Sequence, residues 1–308
     1  YDKAENNGFT YKSLNEDIAT VDENTGKVTA NTIGRAYIIV SSKSGGNENR
    51  VTIDVIPENN KVAEKVATGY THSLALKQNG TIWAWGDNSK GEIGNGKNNS
   101  TKVTMPVQIE KENIVDIAAG YYYNLAVDSN GDVYSWGYNG YGNLGDGTTE
   151  DKNVPTKIEG LTDIKKVHIT DKTSIAINEN GEIYIWGQGY TNKPQKVNFY
   201  GKAIQATKKL ILAEDGTVWY LNENPSRITG LSNIVQIAST GNYYIVLTSK
   251  GDVYGWGYNR YGQLGQGTYS SLSGLVKIPV ENVVEMATGD NTVLLTTKEG
   301  NVYSCGYN

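Results

Sequence analysis

The chain has 308 residues, with 28 lysines and arginines against 33 aspartates and glutamates, for a formal net charge of -5 at pH 7. With no basic run longer than a pair, it excludes a general nucleic-acid binder, which needs a basic footprint on phosphate. The longest apolar runs, such as Ala36 to Val40, are a few residues long where crossing a bilayer takes about 20, so no membrane insertion is expected.

Composition gives the class. There are 36 Gly, 22 Tyr and 6 Trp against only 2 Phe and 2 Met, spread through short runs that alternate apolar and polar residues, which reads as all-β with glycine marking turns. A single cysteine, Cys305, leaves no internal disulfide, so apolar burial must hold about two domains together. The first residue is Tyr1 with no charged-then-apolar leader before it, so the chain is expected to be a piece of something longer.

In chain order, the first strands are expected at Tyr11-Lys12-Ser13, Ile18 to Asp22, Gly26 to Ala30, Gly34 to Val40 and Val51 to Val55. The progression Ser13…Ala19, Val21-Asp22, Gly26-Lys27-Val28-Thr29-Ala30 and Gly34-Arg35-Ala36-Tyr37-Ile38 resembles the bacterial immunoglobulin-like group 2 domain. The resemblance implies a partial β-sandwich over residues 1–57, lacking its first strands. A linker follows at 58–61, in the polar stretch around Pro57-Glu58-Asn59-Asn60.

From residue 62 the chain repeats, and the search for repeats precedes any local reading. Ala84-Trp85-Gly86, Ser135-Trp136-Gly137, Ile185-Trp186-Gly187, Gly255-Trp256-Gly257 and Ser304-Cys305-Gly306 each end an alternating run, and Leu221 holds the Trp place in a degenerate copy. Positions 85, 136, 186, 221, 256 and 305 are separated by 51, 50, 35, 35 and 49 residues. Asn79-Gly80, Asn130-Gly131, Asn180-Gly181, Asp215-Gly216, Lys250-Gly251 and Glu299-Gly300 follow the same spacing and predict tight type I′ hairpin turns. Each unit reads as a three-strand meander, in the second copy Ile114 to Ala119, Asn124 to Val127 and Asp132 to Trp136. One meander cannot bury its apolar face alone, so six are expected to stack radially as a β-propeller. The two 35-residue units are expected to keep their strands and lose only a surface loop.

Three units add a glycine-punctuated loop, at Asp87 to Gly94, Tyr138 to Gly145 and Tyr258 to Gly265, and a Pro-bearing strand follows in the second, at Val154-Pro155. With Gly262-Gln263-Leu264-Gly265 following Trp256-Gly257-Tyr258-Asn259, residues 62–308 resemble the regulator of chromosome condensation repeat family. The resemblance implies a propeller that usually has seven blades. Six units are present and the last stops mid-loop, so truncation at the C-terminus is expected. Family precedent includes an exchange factor for the small GTPase Ran and an extracellular bacterial inhibitor of β-lactamases, both acting through protein contacts.

Catalytic groups are scarce. His72, in Gly69-Tyr70-Thr71-His72, reads as a turn and packing residue, and His168 as a satisfied strand histidine. Cys305 stands in a Trp place as a packing residue with no histidine partner. Two histidines and one distant cysteine make no zinc site. Asp128-Ser129-Asn130-Gly131-Asp132 lacks the glutamate of a calcium loop and reads as a turn. No catalytic residue, metal or cofactor is expected.

Tyrosine is the remaining signal. Tyr70, Tyr121, Tyr122, Tyr138, Tyr258 and Tyr307 share a phase of the repeat, directly after turn glycines, with Tyr141, Tyr243, Tyr244 and Tyr261 nearby. Equivalent positions lie on one face, so Tyr70, Tyr121, Tyr122, Tyr138, Tyr141, Tyr258, Tyr261 and Tyr307 are the expected contact residues. Tyrosine beside Asn and Gly suits a binding face, because it gives a large amphipathic contact at low entropic cost; packing in the seams between blades is the alternative. The expectation is a non-enzymatic module of a secreted or cell-wall-associated bacterial protein, binding an extracellular protein or a glycan. A regulator of a small GTPase and an inhibitor of a secreted enzyme such as a β-lactamase remain open.

Overall fold

Alternating runs become strands throughout the computed structural model, which describes residues 8–32, 34–43, 48–55, 63–97, 102–240 and 242–307. All regular structure among them is β. The linker expected at 58–61 lies outside the described residues. The chain divides into two compact units, mainly between Ala63 and Glu64.

The first unit holds β1 (Phe9–Ser13), β2 (Ala19–Val21), β3 (Val28–Ala30), β4 (Gly34–Ser42) and β5 (Glu48–Val55). β4 is the centre of an antiparallel sheet ordered β1-β4-β5, and β2 pairs with β3 in a separate hairpin. Ser13 lies opposite Ile38, and its hydroxyl donates to Ala19 O at 2.6 Å, tying the hairpin to the sheet. The buried apolar residues among those described are few, Ala19, Ala36 and Ile38.

The second unit is six sheets, hereafter blades. Blade 1 is β6 (Ala63–Thr68), β7 (His72–Lys77), β8 (Ile82–Gly86) and β9 (Val103–Gln108); blade 2 is β10 (Ile114–Ala119), β11 (Tyr123–Asp128), β12 (Val133–Gly137) and β13 (Lys152–Lys157). Blade 3 is β14 (Ile164–Thr170), β15 (Thr173–Asn178), β16 (Ile183–Gly187) and β17 (Gln195–Lys196); blade 4 is β18 (Ala203–Ala206), β19 (Leu210–Ala213), β20 (Val218–Tyr220) and β21 (Ser226–Arg227). Blade 5 is β22 (Ile234–Thr240), β23 (Tyr243–Thr248), β24 (Val253–Gly257) and β25 (Leu272–Ile278), and blade 6 is β26 (Val283–Thr288), β27 (Thr292–Thr297) and β28 (Val302–Gly306). The first strand of every blade lines one cavity of about 490 Å³, to which Thr68, Ala119, Thr170, Gln205, Thr240 and Thr288 each contribute.

The radial stack explains why β11 is buried at every position. Side chains of a strand alternate between its two faces. Tyr123, Leu125 and Val127 pack forward on Val167, Ile169 and Trp186 of blade 3, while Ala126 and Trp136 pack back on Leu74, Leu76 and Ile82 of blade 1. The equivalent forward face of blade 6 carries Leu294 at 43 % exposure and Val302 at 66 %.

One place on the first strands of blades 2 to 5 reaches forward to the backbone of the next blade, while in blade 1 Lys65 holds it and pairs with the Asp116 carboxylate. Asp116 Oδ2 accepts from Val167 N at 2.9 Å, and Lys166 Nζ donates to Ile204 O at 2.9 Å. Gln205 makes both bonds to Ile237, accepting from its N and donating to its O at 2.9 and 2.8 Å. Gln236 does the same to Met286 at 3.2 and 2.8 Å. Glu285 holds this place in blade 6 and is exposed.

Three expectations are corrected. The units are not three-stranded: five of the six blades add a fourth, outer strand, of which only that at Val154-Pro155, now β13, was expected. An edge position leaves the outer strand without clean alternation, and it tolerates Pro106 in β9 and Pro155 in β13 because an edge strand can spare a donor. Shortening keeps the three expected strands of blades 3 and 4 but takes more than a surface loop, since the outer strands β17 and β21 are trimmed to two residues each. Nor are the Asn-Gly turns type I′. Only the glycine has positive φ, and Gly131 N donates to Asp128 O at 2.9 Å, which is a type I turn closed by a left-handed glycine. Because the residue before the glycine needs no special conformation, Lys250 and Glu299 serve there. Gly131 O in turn accepts from Ile164 N at 3.2 Å, docking the turn of one blade on the start of the next.

Candidate functional site

The hairpin tips between first and second strands, and the loops after Trp-Gly, meet at one end of the blades. Tyr70 N lies 3.2 Å from Gly120 O and 3.3 Å from Tyr121 O, joining the tips of blades 1 and 2. The rings follow. Tyr70 stacks on Tyr121 at 4.7 Å between centroids and 19° between planes. Tyr122 stands edge-on to both, at 5.7 and 4.6 Å. Tyr138 meets Tyr122 at 6.5 Å, and Tyr141 meets Tyr138 at 6.0 Å. Five of the eight expected tyrosines thus form one contiguous patch, with Tyr70, Tyr121 and Tyr141 exposed and Tyr122 and Tyr138 half-buried.

The other three form a second patch. Tyr258 meets Tyr261 at 6.2 Å and Tyr261 meets Tyr307 at 5.2 Å. Tyr258 N donates to Asn242 O, and Tyr307 N to Asn291 O, both at 2.9 Å, so each loop is pinned to the hairpin tip of its own blade. Between the patches, the hairpin tips of blades 3 and 4 read Asp171-Lys172 and Thr207-Lys208-Lys209.

Lysines complete the first patch, and sequence reading did not find them. Lys172 Nζ lies 4.8 Å from the Tyr121 ring centroid and 4.5 Å from that of Tyr141. Lys90 Nζ lies 5.7 Å from the Tyr138 centroid and 3.9 Å from Asp151 Oδ2. A cation over an aromatic face is attracted by the ring quadrupole. The only signal was Lys172 at the tip position where blade 2 has tyrosine. Removal from water, reinforced by Tyr121, Tyr70, Asp87 and Glu92, raises the Tyr122 phenol above its ordinary range, so it is a neutral hydroxyl at physiological pH.

Seams between blades are filled by other aromatics. Trp136, Trp186, Tyr123 and Tyr243 are fully buried. Tyr123 OH accepts from Ser174 Oγ at 3.0 Å, and Tyr243 OH donates to Gly289 O at 2.6 Å. Beneath the patches, Asn139 and Asn259 are buried loop pins: Leu144 N donates to Asn139 Oδ1 at 2.9 Å and Leu264 N to Asn259 Oδ1 at 2.8 Å.

His72 is buried in the seam between blades 1 and 2. Its Nε2 lies 2.7 Å from Asn124 Oδ1, which assigns the proton to Nε2. Burial lowers its pKa. His168 lies half-buried on β14, and the expected hydrogen-bond satisfaction is not found: among the described residues its ring has no partner. Burial instead keeps it neutral, with the nearby Lys65 ammonium adding to the effect, and its pKa falls to about 4. Cys305 Sγ lies 3.3 Å from Gln263 O, and burial raises its thiol pKa. Among the described residues, no three His, Cys, Asp or Glu side chains come together as a metal site.

Two profiles described as the regulator of chromosome condensation (RCC1) repeat match this chain, one over residues 79–127, 130–177 and 250–295 and the other over 63–92, 114–143 and 234–263. A bacterial Ig-like domain (group 2) profile matches residues 1–53. Among curated relatives, the Arabidopsis thaliana ultraviolet-B receptor UVR8 is 30% identical over 207 residues, 66% of this chain and 43% of UVR8. The human E3 ubiquitin-protein ligase HERC2 is 29% identical over 214 residues, 64% of this chain and 4% of HERC2. The chain therefore spans less than half the length of these relatives. Among solved structures, yeast RCC1 (Prp20) bound to Kap60 superposes with a TM-score of 0.70 at 20% identity, covering 81% of this chain and 71% of that one. Prp20p of Saccharomyces cerevisiae, studied for its binding properties to Gsp1p and histones, gives 0.65 at 14% identity, covering 97% and 91%. With RCC1 repeats matched over more than half of its length and a bacterial Ig-like group 2 domain matched before them, the protein belongs to the RCC1-repeat β-propeller family.

Proposed function

We propose that the blades form a non-enzymatic protein-binding module, and that its contact surface is the patch of Tyr70, Tyr121, Tyr122, Tyr138 and Tyr141 with Lys90 and Lys172 at its edges. The observation that carries this reading is the unbroken chain of ring contacts across two blades. Isolated exposed aromatics need no explanation, whereas a contiguous exposed patch does. Tyrosine and lysine together offer apolar area, hydroxyl donors and charge, the mixture that protein interfaces use. Tyr258, Tyr261 and Tyr307 form a second, smaller contact. Likeness to propellers studied with protein partners, Kap60 in one case and Gsp1p and histones in another, supports the class.

The Ig-like domain is assigned the part of a spacer in a secreted or cell-wall-associated bacterial protein, on the strength of the bacterial family it matches. A regulator of a small GTPase is the second reading, favoured by the likeness to Prp20p. The test uses the whole chain beside a Tyr70→Ser, Tyr121→Ser, Tyr138→Ser variant shown to fold by near-ultraviolet circular dichroism. A protein retained from extracellular and cell-wall fractions by the parent alone supports the surface. Equal retention by both overturns it, and acceleration of guanine-nucleotide release from a Ran-type GTPase favours the second reading.

A further inference from the structure

The linkers between blades provide an internal control. Ile158 to Ile164, Val197 to Ala203 and Ile228 to Ile234 run the same number of residues from the end of one blade to the start of the next. In two of them the fourth residue is a leucine tucked into the core, Leu161 and Leu231, each 5 % exposed. In the third it is Tyr200, 95 % exposed. Burial does not account for an aromatic ring placed wholly in water where its counterparts are core residues.

Tyr200 stands beside two more rings. Phe199 meets Trp219 edge-on, with centroids 5.6 Å apart and planes at 74°. Phe199 and Trp219 both pack on the seam between blades 3 and 4 and are only partly buried there. The loop that runs from Tyr138 to Asp151 in blade 2 is cut in blade 4 to Leu221–Pro225, and the strand after it to two residues. A cavity of about 300 Å³ remains at this corner, lined by Asn198, Phe199, Tyr200, Trp219, Asn224 and Pro225 with the backbone of Gly201. The matching corners of blades 2 and 5 hold cavities as well, but charged side chains line them, Glu110, Lys111 and Asp128 in one and Lys250 and Asp252 in the other.

The lining chooses its ligand. It has three aromatic rings and no carboxylate, ammonium or guanidinium, so nothing there would hold a charged group. Its polar atoms are the Tyr200 hydroxyl and the amides of Asn198 and Asn224, which make no side-chain hydrogen bond among the described residues. The Trp219 indole N–H is already given to Thr217 Oγ1 at 2.9 Å, leaving that ring as a stacking surface. A pyranose matches this set: one face is a plane of C–H groups that stacks on aromatic rings, and its rim is hydroxyls that amides can both donate to and accept from. The cavity is at the small end of ligand pockets, the size for a single ring.

We propose that Phe199, Tyr200 and Trp219, with Asn198 and Asn224, form a subsite for an uncharged sugar ring of a glycan, separate from the tyrosine patch. The test is calorimetric titration of the whole protein with cellohexaose, chitohexaose and maltohexaose, alongside a decaproline peptide, which would also stack on aromatics. Saturable binding of at least one oligosaccharide is expected, weakened tenfold or more by Tyr200→Ala and unchanged by Tyr121→Ser. Because Tyr200 is exposed, its removal leaves the fold in place, and Asn224→Ala gives a second reading of at least threefold loss. No saturation by any of the three sugars at millimolar concentration, equal affinity in Tyr200→Ala, or saturation by decaproline alone overturns the proposal.

Discussion

The indole N–H of Trp136 donates to the main-chain carbonyl of Glu92 across 2.9 Å, from the third strand of one blade to the loop of the blade before it. Trp186 repeats the bond to Asn143 O at 2.9 Å. Blade 4 has no such loop, and Trp256 turns to Tyr220 OH at 3.1 Å. The Trp-Gly signature is therefore a latch between neighbours as well as core.

Trp136→Phe should destabilise the protein by roughly 2–3 kcal/mol, combining a lost buried hydrogen bond with the space left by the indole. Trp256→Phe should cost about 1 kcal/mol less, because the hydroxyl it abandons can turn to water. Urea midpoints of the two variants check the order, and equal losses would refute the latch.

Glu92 is fully buried, and its Oε1 has no partner, while Oε2 accepts from Lys90 N at 2.7 Å. Asn143 occupies the same place in blade 2 and donates from its amide to Tyr138 O. Removal from water and the Asp87 charge raise the Glu92 pKa, against the backbone N–H groups and Lys90, which lower it. A raised folded-state pKa contributes stability below the unfolded value and loses it as pH rises beyond the carboxylate range. Glu92→Gln should therefore match the parent near pH 4 and exceed it at pH 7. Denaturation midpoints across that range decide it, and a variant weaker at pH 7 would contradict a raised Glu92 pKa.

His168 should titrate near pH 4, read from its Cε1 proton by nuclear magnetic resonance. A lowered folded-state pKa means that the neutral ring's contribution is complete above the unfolded value of about 6.5 and drains as pH falls through it toward 4. His72 acts in the same direction. The parent should lose stability between pH 7 and pH 5, and His168→Gln should lose less; a midpoint near 6.5 would contradict its burial.

Gly131 and Gly160 both have φ of +82°. A Cβ on Gly131 would lie 2.8 Å from Asp163 Cα, while one on Gly160 meets nothing within 4 Å. Gly160→Ala should cost about 1–2 kcal/mol for the left-handed backbone alone. Gly131→Ala should cost about 2–4 kcal/mol, since the next blade must also shift. Thermal unfolding of the pair separates conformation from crowding.

The six repeats were legible because two anchors, Trp-Gly and Asn-Gly, recur in step and alternation marks the inner strands. Outer strands left a weaker mark, read only at Val154-Pro155 of β13: β9 and β13 lie at edges, where one face meets water and proline is harmless. β17 and β21 are too short for any period. Repeat phase did bring the eight tyrosines to hairpin tips and loops. It could not divide them into two patches, nor place Lys172 over Tyr121, because both depend on how neighbouring blades are turned. Tyr200 went unread because it shares no phase with the others.

The amides of Gln205 and Gln236 grip only main-chain atoms of the blade that follows. A grip that ignores side chains does not ask which repeat comes next. Duplication of a whole repeat, or its loss by unequal exchange, would therefore re-form each junction from the old rules, whereas slipping one residue inside a single repeat would spoil the junctions on both sides of it. In a gene of this kind the tolerated unit of change is the repeat itself, and lineages should differ in how many they carry far more readily than in how long each inner strand is.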